Sequence, residues 1–227
     1  MRKITACLIA LSTIIVFNCK NAKSGNSASS NLKRYGLKEG YIQYSIKGDM
    51  MSGTQEICFD RYGAREVEIK NMEVKIMGMS QKTKTATYTD FSEGGTIYTV
   101  DYSTDPPTGT KTVNPMIKSF EGKDLQEVGK DMLVQMGGRI IGKGKVLGKE
   151  CDIWEVKNMG TKVWVWNWIT LKTEILMGMK MIIEATKILE KCDKKKLVKP
   201  NIKYKDMSNV MKSMKGLDAL KKRFQKK

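Results

Sequence analysis

Residues 148–188 read GKECDIWEVKNMGTKVWVWNWITLKTEILMGMKMIIEATKI. Four strand-like runs follow one another here. They are Cys151–Val156, Thr161–Trp166, Leu171–Leu176 and Met179–Ile188. Asn158-Met159-Gly160, Asn167–Thr170 and Met177-Gly178 separate them. β-Branched and aromatic residues bounded by Gly and Asn favour strands and hairpins, because branched side chains pack well on a pleated surface. Connections this short can join only antiparallel neighbours. The stretch predicts a β-meander.

The pattern extends upstream. Tyr41–Ile46 is a first strand, turned by Met50-Met51-Ser52-Gly53. Thr54–Lys70 is a long run interrupted at Asp60-Arg61-Tyr62-Gly63, where Gly supplies a positive φ and Asp caps locally. Met72–Met77, Lys84–Asp90 and Thr96–Tyr102 continue it, and Asp105–Gly109 is a loop. Ile76-Met77-Gly78-Met79 echoes Leu176-Met177-Gly178-Met179, each between two strand-like runs. The echo fits duplicated halves or coincidence in a Met-rich chain.

Two segments have helical period. In Ser119–Met136, Phe120, Leu125, Val128, Met132, Leu133 and Met136 form one apolar stripe, stopped by Gly137-Gly138. A single amphipathic helix between two β regions most simply lies across a sheet face. In Met207–Lys226, an apolar stripe of Met207, Val210, Met211, Met214, Leu217, Leu220 and Phe224 is backed by a lysine-rich face. That is either a surface helix docked by its stripe or an interfacial helix on anionic lipid.

The chain opens with Met1-Arg2-Lys3 and the apolar run Ile4–Phe17. The run is shorter than the ~20 residues a bilayer span needs and suits a signal-peptide core. It ends at Val16-Phe17-Asn18-Cys19, which resembles a bacterial lipobox, with Phe17 and Asn18 where small residues are usual. The resemblance implies that Cys19 is acylated, a palmitate-type anchor. The alternative is an ordinary secretory signal with Cys19 incidental. Ser, Asn, Gly and Lys dominate Lys20–Lys33, a tether composition with little to bury. The formal charge is +17, from 41 basic and 24 acidic side chains, which suits an anionic partner: a lipid headgroup surface, an acidic glycan or nucleic acid, the last being the least expected in an envelope location, so no nucleic acid partner is predicted. There is no His, so the commonest general base and metal ligand are missing. No GxSxG, phosphate loop or CxxC is present, so neither catalysis, a cofactor nor a metal site is expected. After processing Cys58, Cys151 and Cys192 remain. They allow one disulfide of unspecified pairing plus a free thiol, or buried strand thiols at Cys58 and Cys151.

The order of strands, crossing helix and closing meander resembles the LolA/LolB-like superfamily of bacterial envelope domains. The likeness is carried by Gly148-Lys149-Glu150-Cys151-Asp152-Ile153-Trp154, a Gly-Lys entry into a strand, and by residues 162–174, a hydrophobic-Trp strand and its return, with Thr170 where Pro is frequent. Phe59-Asp60-Arg61-Tyr62-Gly63 adds a matching turn. The resemblance implies an α+β domain. A curved antiparallel half-barrel sheet would carry a helix across its concave face, followed by a C-terminal amphipathic helix. It also implies a lipid or acyl chain as ligand. Trp164, Trp166, Met177 and Met179 are the candidate ligand-binding residues, against the simpler reading that they fill the core. The expected organisation is a signal peptide over 1–18, a lipidated tether over 19–34, the half-barrel over 35–204 and a basic helix over 205–227. The expected protein is a lipoprotein of the cell envelope, on the outer membrane. Its alternative role is a surface scaffold whose basic exterior meets anionic lipid or a polyanion.

Overall fold

The computed structural model describes residues 32–76, 78–113, 124–178 and 180–208. These residues form twelve strands and one α-helix. The first six strands are β1 (Gly40–Gly48), β2 (Met51–Asp60), β3 (Arg65–Ile76), β4 (Met79–Asp90), β5 (Thr96–Asp101) and β6 (Thr108–Val113). Helix α1 (Leu125–Gln135) leads into β7 (Gly138–Val146), β8 (Lys149–Val156), β9 (Thr161–Trp166), β10 (Ile169–Ile175) and β11 (Met181–Leu189). The short β12 (Tyr204–Asp206) comes last. All twelve belong to one curved, unclosed sheet in the order β12-β6-β5-β4-β3-β2-β1-β11-β10-β9-β8-β7. Neighbours are antiparallel except β12, which lies parallel to β6. The pairing of β1 with β11 joins two meanders edge to edge.

Side-chain alternation gives the sheet two buried faces. Ile42, Tyr44, Phe59, Val146, Cys151, Ile169, Leu171 and Ala185 form one cluster. It draws on β2 at one extreme and β7 at the other, so the sheet curls around this inner face. Phe59 and Leu171 have no exposed surface. The outer face carries Cys58, Val67, Tyr88, Cys192 and Leu197. Its cover is the strap between β11 and β12. A disulfide from Cys58 to Cys192 fastens that strap to β2. Cys58 is thus a buried strand residue as expected, and also the bonded one; Cys151 is the buried free thiol.

Tight turns are set where the sequence allows them. Asn167 and Trp168 both have positive φ, giving the two-residue hairpin that suits strand twist. Gly63 (φ 81°) lets Tyr35 approach so closely that a Cβ would sit 2.5 Å from its ring.

Several expected boundaries are corrected. Met51-Ser52-Gly53 belongs to β2, because the turn needs only Asp49 and Met50. Residues 65–76 are one strand rather than two: the Met72 region pairs without interruption with β2 and β4. Thr108 and Gly109 open β6 instead of ending a loop. Helix α1 starts at Leu125, capped by the Asp124 side chain, which accepts from Gln126 N–H at 2.8 Å. It buries Met132 and half-buries Leu125, Val128 and Leu133. Lys205 and Asp206, placed in the C-terminal helix by the sequence, are strand residues paired with β6; residues 209–227 lie outside the described residues.

Candidate functional site

The inner face changes character across one line of the sheet. Cross-strand register aligns Ile188, Ile42, Ile57, Glu68, Thr87, Thr99 and Thr110 on neighbouring strands. The strands β8 to β11 with β1 and β2 present an apolar wall. The strands β3 to β6 present carboxylates and a half-buried threonine row on the same face.

On the apolar wall, Trp164 and Trp166 are half-buried against the central cluster. Lys172 Nζ lies 4.9 Å from the Trp164 ring centre and Lys149 Nζ 4.5 Å from that of Trp166. Each ring therefore has one face toward the core and a cation over the other. Gly144 leaves room for Trp164: a Cβ there would lie 3.0 Å from the indole nitrogen. Trp168, in the hairpin turn, lies beside Gly129 of α1. Tyr44 donates its hydroxyl to the Thr170 carbonyl at 3.0 Å, and burial pushes its phenol far above the ordinary tyrosine range.

On the polar wall every charge has a partner. Glu68 pairs with Lys70 at 2.7 Å and accepts from Gln55 Nε2 at 3.2 Å. Tyr35 donates to Glu66 at 2.6 Å, and Arg34 lies 3.5 Å from the same carboxylate. Burial holds the Tyr35 phenol well above its usual range, with Arg34 opposing and Glu66 reinforcing the shift. The N-terminal segment is thereby fixed over one end of this wall: Arg34 also donates to the Gly63 carbonyl, and Gly36 N–H to that of Asn167.

Of the residues singled out from sequence, Trp164 and Trp166 come together against one cluster. Met177 does not join them. It stands largely in solvent at the β10–β11 turn, beside Gly160. Met179 and Cys19 lie outside the described residues. Gly78 and Gly178 of the two echoes, both with positive φ, lie in hairpin turns at the same end of the sheet. Sequence reasoning missed the polar wall, although the alternation of Glu66, Glu68 and Lys70 through β3 was its signal.

The architecture defines a class: a curved, unclosed, mainly antiparallel sheet with one helix among the described residues. No protein-family model and no curated protein matches the chain. Among the described residues no group of His, Cys, Asp or Glu is placed to hold a metal ion, and no helix is long and apolar enough to cross a membrane.

Proposed function

We propose that this protein is a LolA-like, lipid-anchored envelope protein that holds an amphiphile, an acyl chain with a polar head, against the inner face of its half-barrel. The observation that carries the reading is the change from apolar wall to polar wall along one line of the curved sheet. Acyl carbons would lie along Trp164 and Trp166, with α1 across the concave side. The head would lie toward the threonine row and Lys70. Large apolar surface with few fixed polar groups is the usual composition of such a site. Membrane attachment in this reading is through lipid on Cys19, with the outer membrane as its location.

Mass spectrometry of the purified protein tests it. Native spectra should carry a lipid-sized excess mass that vanishes on denaturation, and a fluorescent fatty acid should bind stoichiometrically to delipidated protein. Absence of both retained lipid and fatty-acid binding overturns the carrier reading. Labelled fatty acid should enter the wild-type chain and not Cys19→Ser; equal labelling of the two removes the anchor.

A further inference from the structure

Eight of the strands pair into four hairpins whose turns lie at one end of the molecule. The register places them together: Met51 opposes Val74, Gly48 opposes Met181, Ile175 opposes Thr161, and Gly138 opposes Val156. Backbone bonds stitch one turn to the next. Lys75 N–H donates to the Met50 carbonyl at 2.8 Å, Asp49 N–H to that of Lys180 at 3.1 Å, and Leu176 N–H to that of Gly160 at 2.9 Å. Strands about 4.8 Å apart make this a continuous rim of roughly 34 Å along the sheet.

The rim is apolar where it meets solvent. Met79 is 71% and Met177 62% exposed, and Leu176, Met159, Met50 and Ile76 are exposed beside them. The opposite end exposes Leu147, Leu189 and Val113, dispersed over separate strands. Single exposed apolar residues are ordinary; their concentration along one edge is not. Turn geometry does not demand them, since Gly78 and Gly178 supply the positive φ and their neighbours could be polar. Lys47, Lys75, Lys82, Lys157 and Lys180 stand exposed among these tips. None of the five is within ion-pair distance of a carboxylate among the described residues. The acids there accept hydrogen bonds from neighbouring groups: Asp49 from the Lys180 backbone N–H at 3.0 Å and Glu73 from the Ser80 hydroxyl at 2.6 Å.

We propose that this rim docks on an anionic lipid bilayer, with the Met and Leu tips in the headgroup–acyl boundary and the lysines on the phosphates. Separate flexible apolar tips ringed by unpaired cations fit a deformable anionic surface. The surface is distinct from the inner face and does not require an internal ligand.

The test places an environment-sensitive dye on Met177→Cys and on Met79→Cys. Val198→Cys on the strap, 63% exposed, is the control. All three are full chains carrying Cys7→Ser and Cys19→Ser, so N-terminal lipid and the thiol at residue 7 are absent. With vesicles of phosphatidylcholine and phosphatidylglycerol, the dye should blue-shift and brighten several-fold at 177 and 79 and not at 198. Pure phosphatidylcholine should give little response. Each of Lys75→Gln, Lys157→Gln and Lys180→Gln should lower partitioning by about fivefold at low salt. Vesicle-bound protein with a silent dye at 177 and 79 overturns the proposal, as does an equal response at 198 or on uncharged vesicles. A response without vesicles that grows with protein concentration would make the rim a contact between two copies of the chain instead. None of these outcomes bears on whether an acyl chain binds inside.

Discussion

Replacing both Cys58 and Cys192 by Ala should destabilise the protein by about 3–5 kcal/mol without unseating the strap. The bond closes a loop with a sequence separation of 134 residues. Loop-closure entropy for that length puts the ceiling near 5 kcal/mol at 25 °C, because the cross-link acts mainly by restricting the unfolded chain. The native strap has other attachments. Leu197 is buried on the outer face, Lys194 reaches Glu39 at 2.6 Å and Asp60 at 3.2 Å, and Lys196 reaches Glu56 at 3.2 Å. Lys196 also lies over the Tyr41 ring and Lys199 over the Tyr98 ring. The Tyr204 hydroxyl donates to the Pro200 carbonyl at 2.6 Å, and β12 is paired with β6. In thermal melts without reductant the variant should therefore lose roughly 10 °C in Tm with one cooperative transition. In urea its m-value should rise modestly, since the uncrosslinked chain unfolds further. Coincident melting of variant and wild type would refute the reasoning: the strap would then lie outside the cooperative unit, and its loop entropy would not enter the folding equilibrium.

Three further outcomes follow from particular contacts. Burial alone would raise the Asp60 carboxyl, but hydrogen bonds from Arg65 and Lys194 outweigh it and hold its pKa below the usual range. A depressed carboxylate pKa contributes stability that is complete above the unfolded value near 3.9 and is lost as pH falls through the folded one. Urea midpoints should thus drop below about pH 4. Asp60→Asn should flatten that limb and cost about 1–3 kcal/mol at neutral pH, discounted for the exposure of Lys194; an unchanged acid limb would contradict the assignment. Gly53→Ala should cost about 1–3 kcal/mol, since its Cβ would lie 2.1 Å from the Asn71 carbonyl oxygen in the paired strand. Gly78→Ala meets nothing and should cost about 1 kcal/mol for its positive φ alone, so equal losses in chemical denaturation would refute the steric argument. Cys151, almost without exposed surface and with its thiol pKa raised by burial, should resist alkylation in the native protein and react in step with unfolding; peptide mapping after iodoacetamide reads this directly.

What the sequence made legible follows the physics of each element. The strand Thr161–Trp166 was readable to the residue, because Val and Trp alternate between Gly160 and the Asn167-Trp168 turn. β7 was missed: GRIIGKGKV has three glycines and three cations, and as an edge strand it is mostly exposed, so no alternation marks it. β6, TGTKTV, carries threonines on a half-buried polar wall and lacks the apolar period that identifies strands. β12 has three residues and exists only because β6 offers an unpaired edge. The pairing of Cys58 with Cys192 depends on how β11 returns beside β1, a tertiary fact. Of the candidate site, the Trp pair was legible through its spacing of two, and the Met tips through the repeated Met-Gly-Met. The polar wall was not, because Glu and Lys alternating in a strand ordinarily face solvent.

That polar wall bears on what the inner face is for. Had it served only as a filled core, apolar residues at Glu66, Glu68 and Lys70 would be no worse for stability, since paired buried charges rarely outdo well-packed hydrophobic side chains. Instead Glu68 is shared between Lys70 and Gln55, and Glu66 is held by Tyr35 and Arg34, with no buried side-chain polar atom left unpartnered among the described residues. Such a network holds polar groups ready beside an apolar wall, a combination that suits an amphiphile and gives a hydrocarbon alone no advantage. The rim runs past the ends of both walls, from the β3–β4 tip with Ile76 and Met79 to the β8–β9 and β10–β11 tips with Met159, Leu176 and Met177. β8, β9, β10 and β11 all reach the end that carries Met159, Leu176 and Met177, and Trp164 lies three residues from Thr161, roughly 10 Å into the sheet. β5 and β6 stop short of that end, with Asp101 opposite Thr85, six residues inside the start of β4. An acyl chain leaving a bilayer at the rim would pass the Met tips and the Lys172–Glu174 pair before it reached Trp164. Its head would follow last, toward the side of the sheet where Lys70 and the threonines stand. The two proposals thus share a direction along the strands, although each is tested without the other.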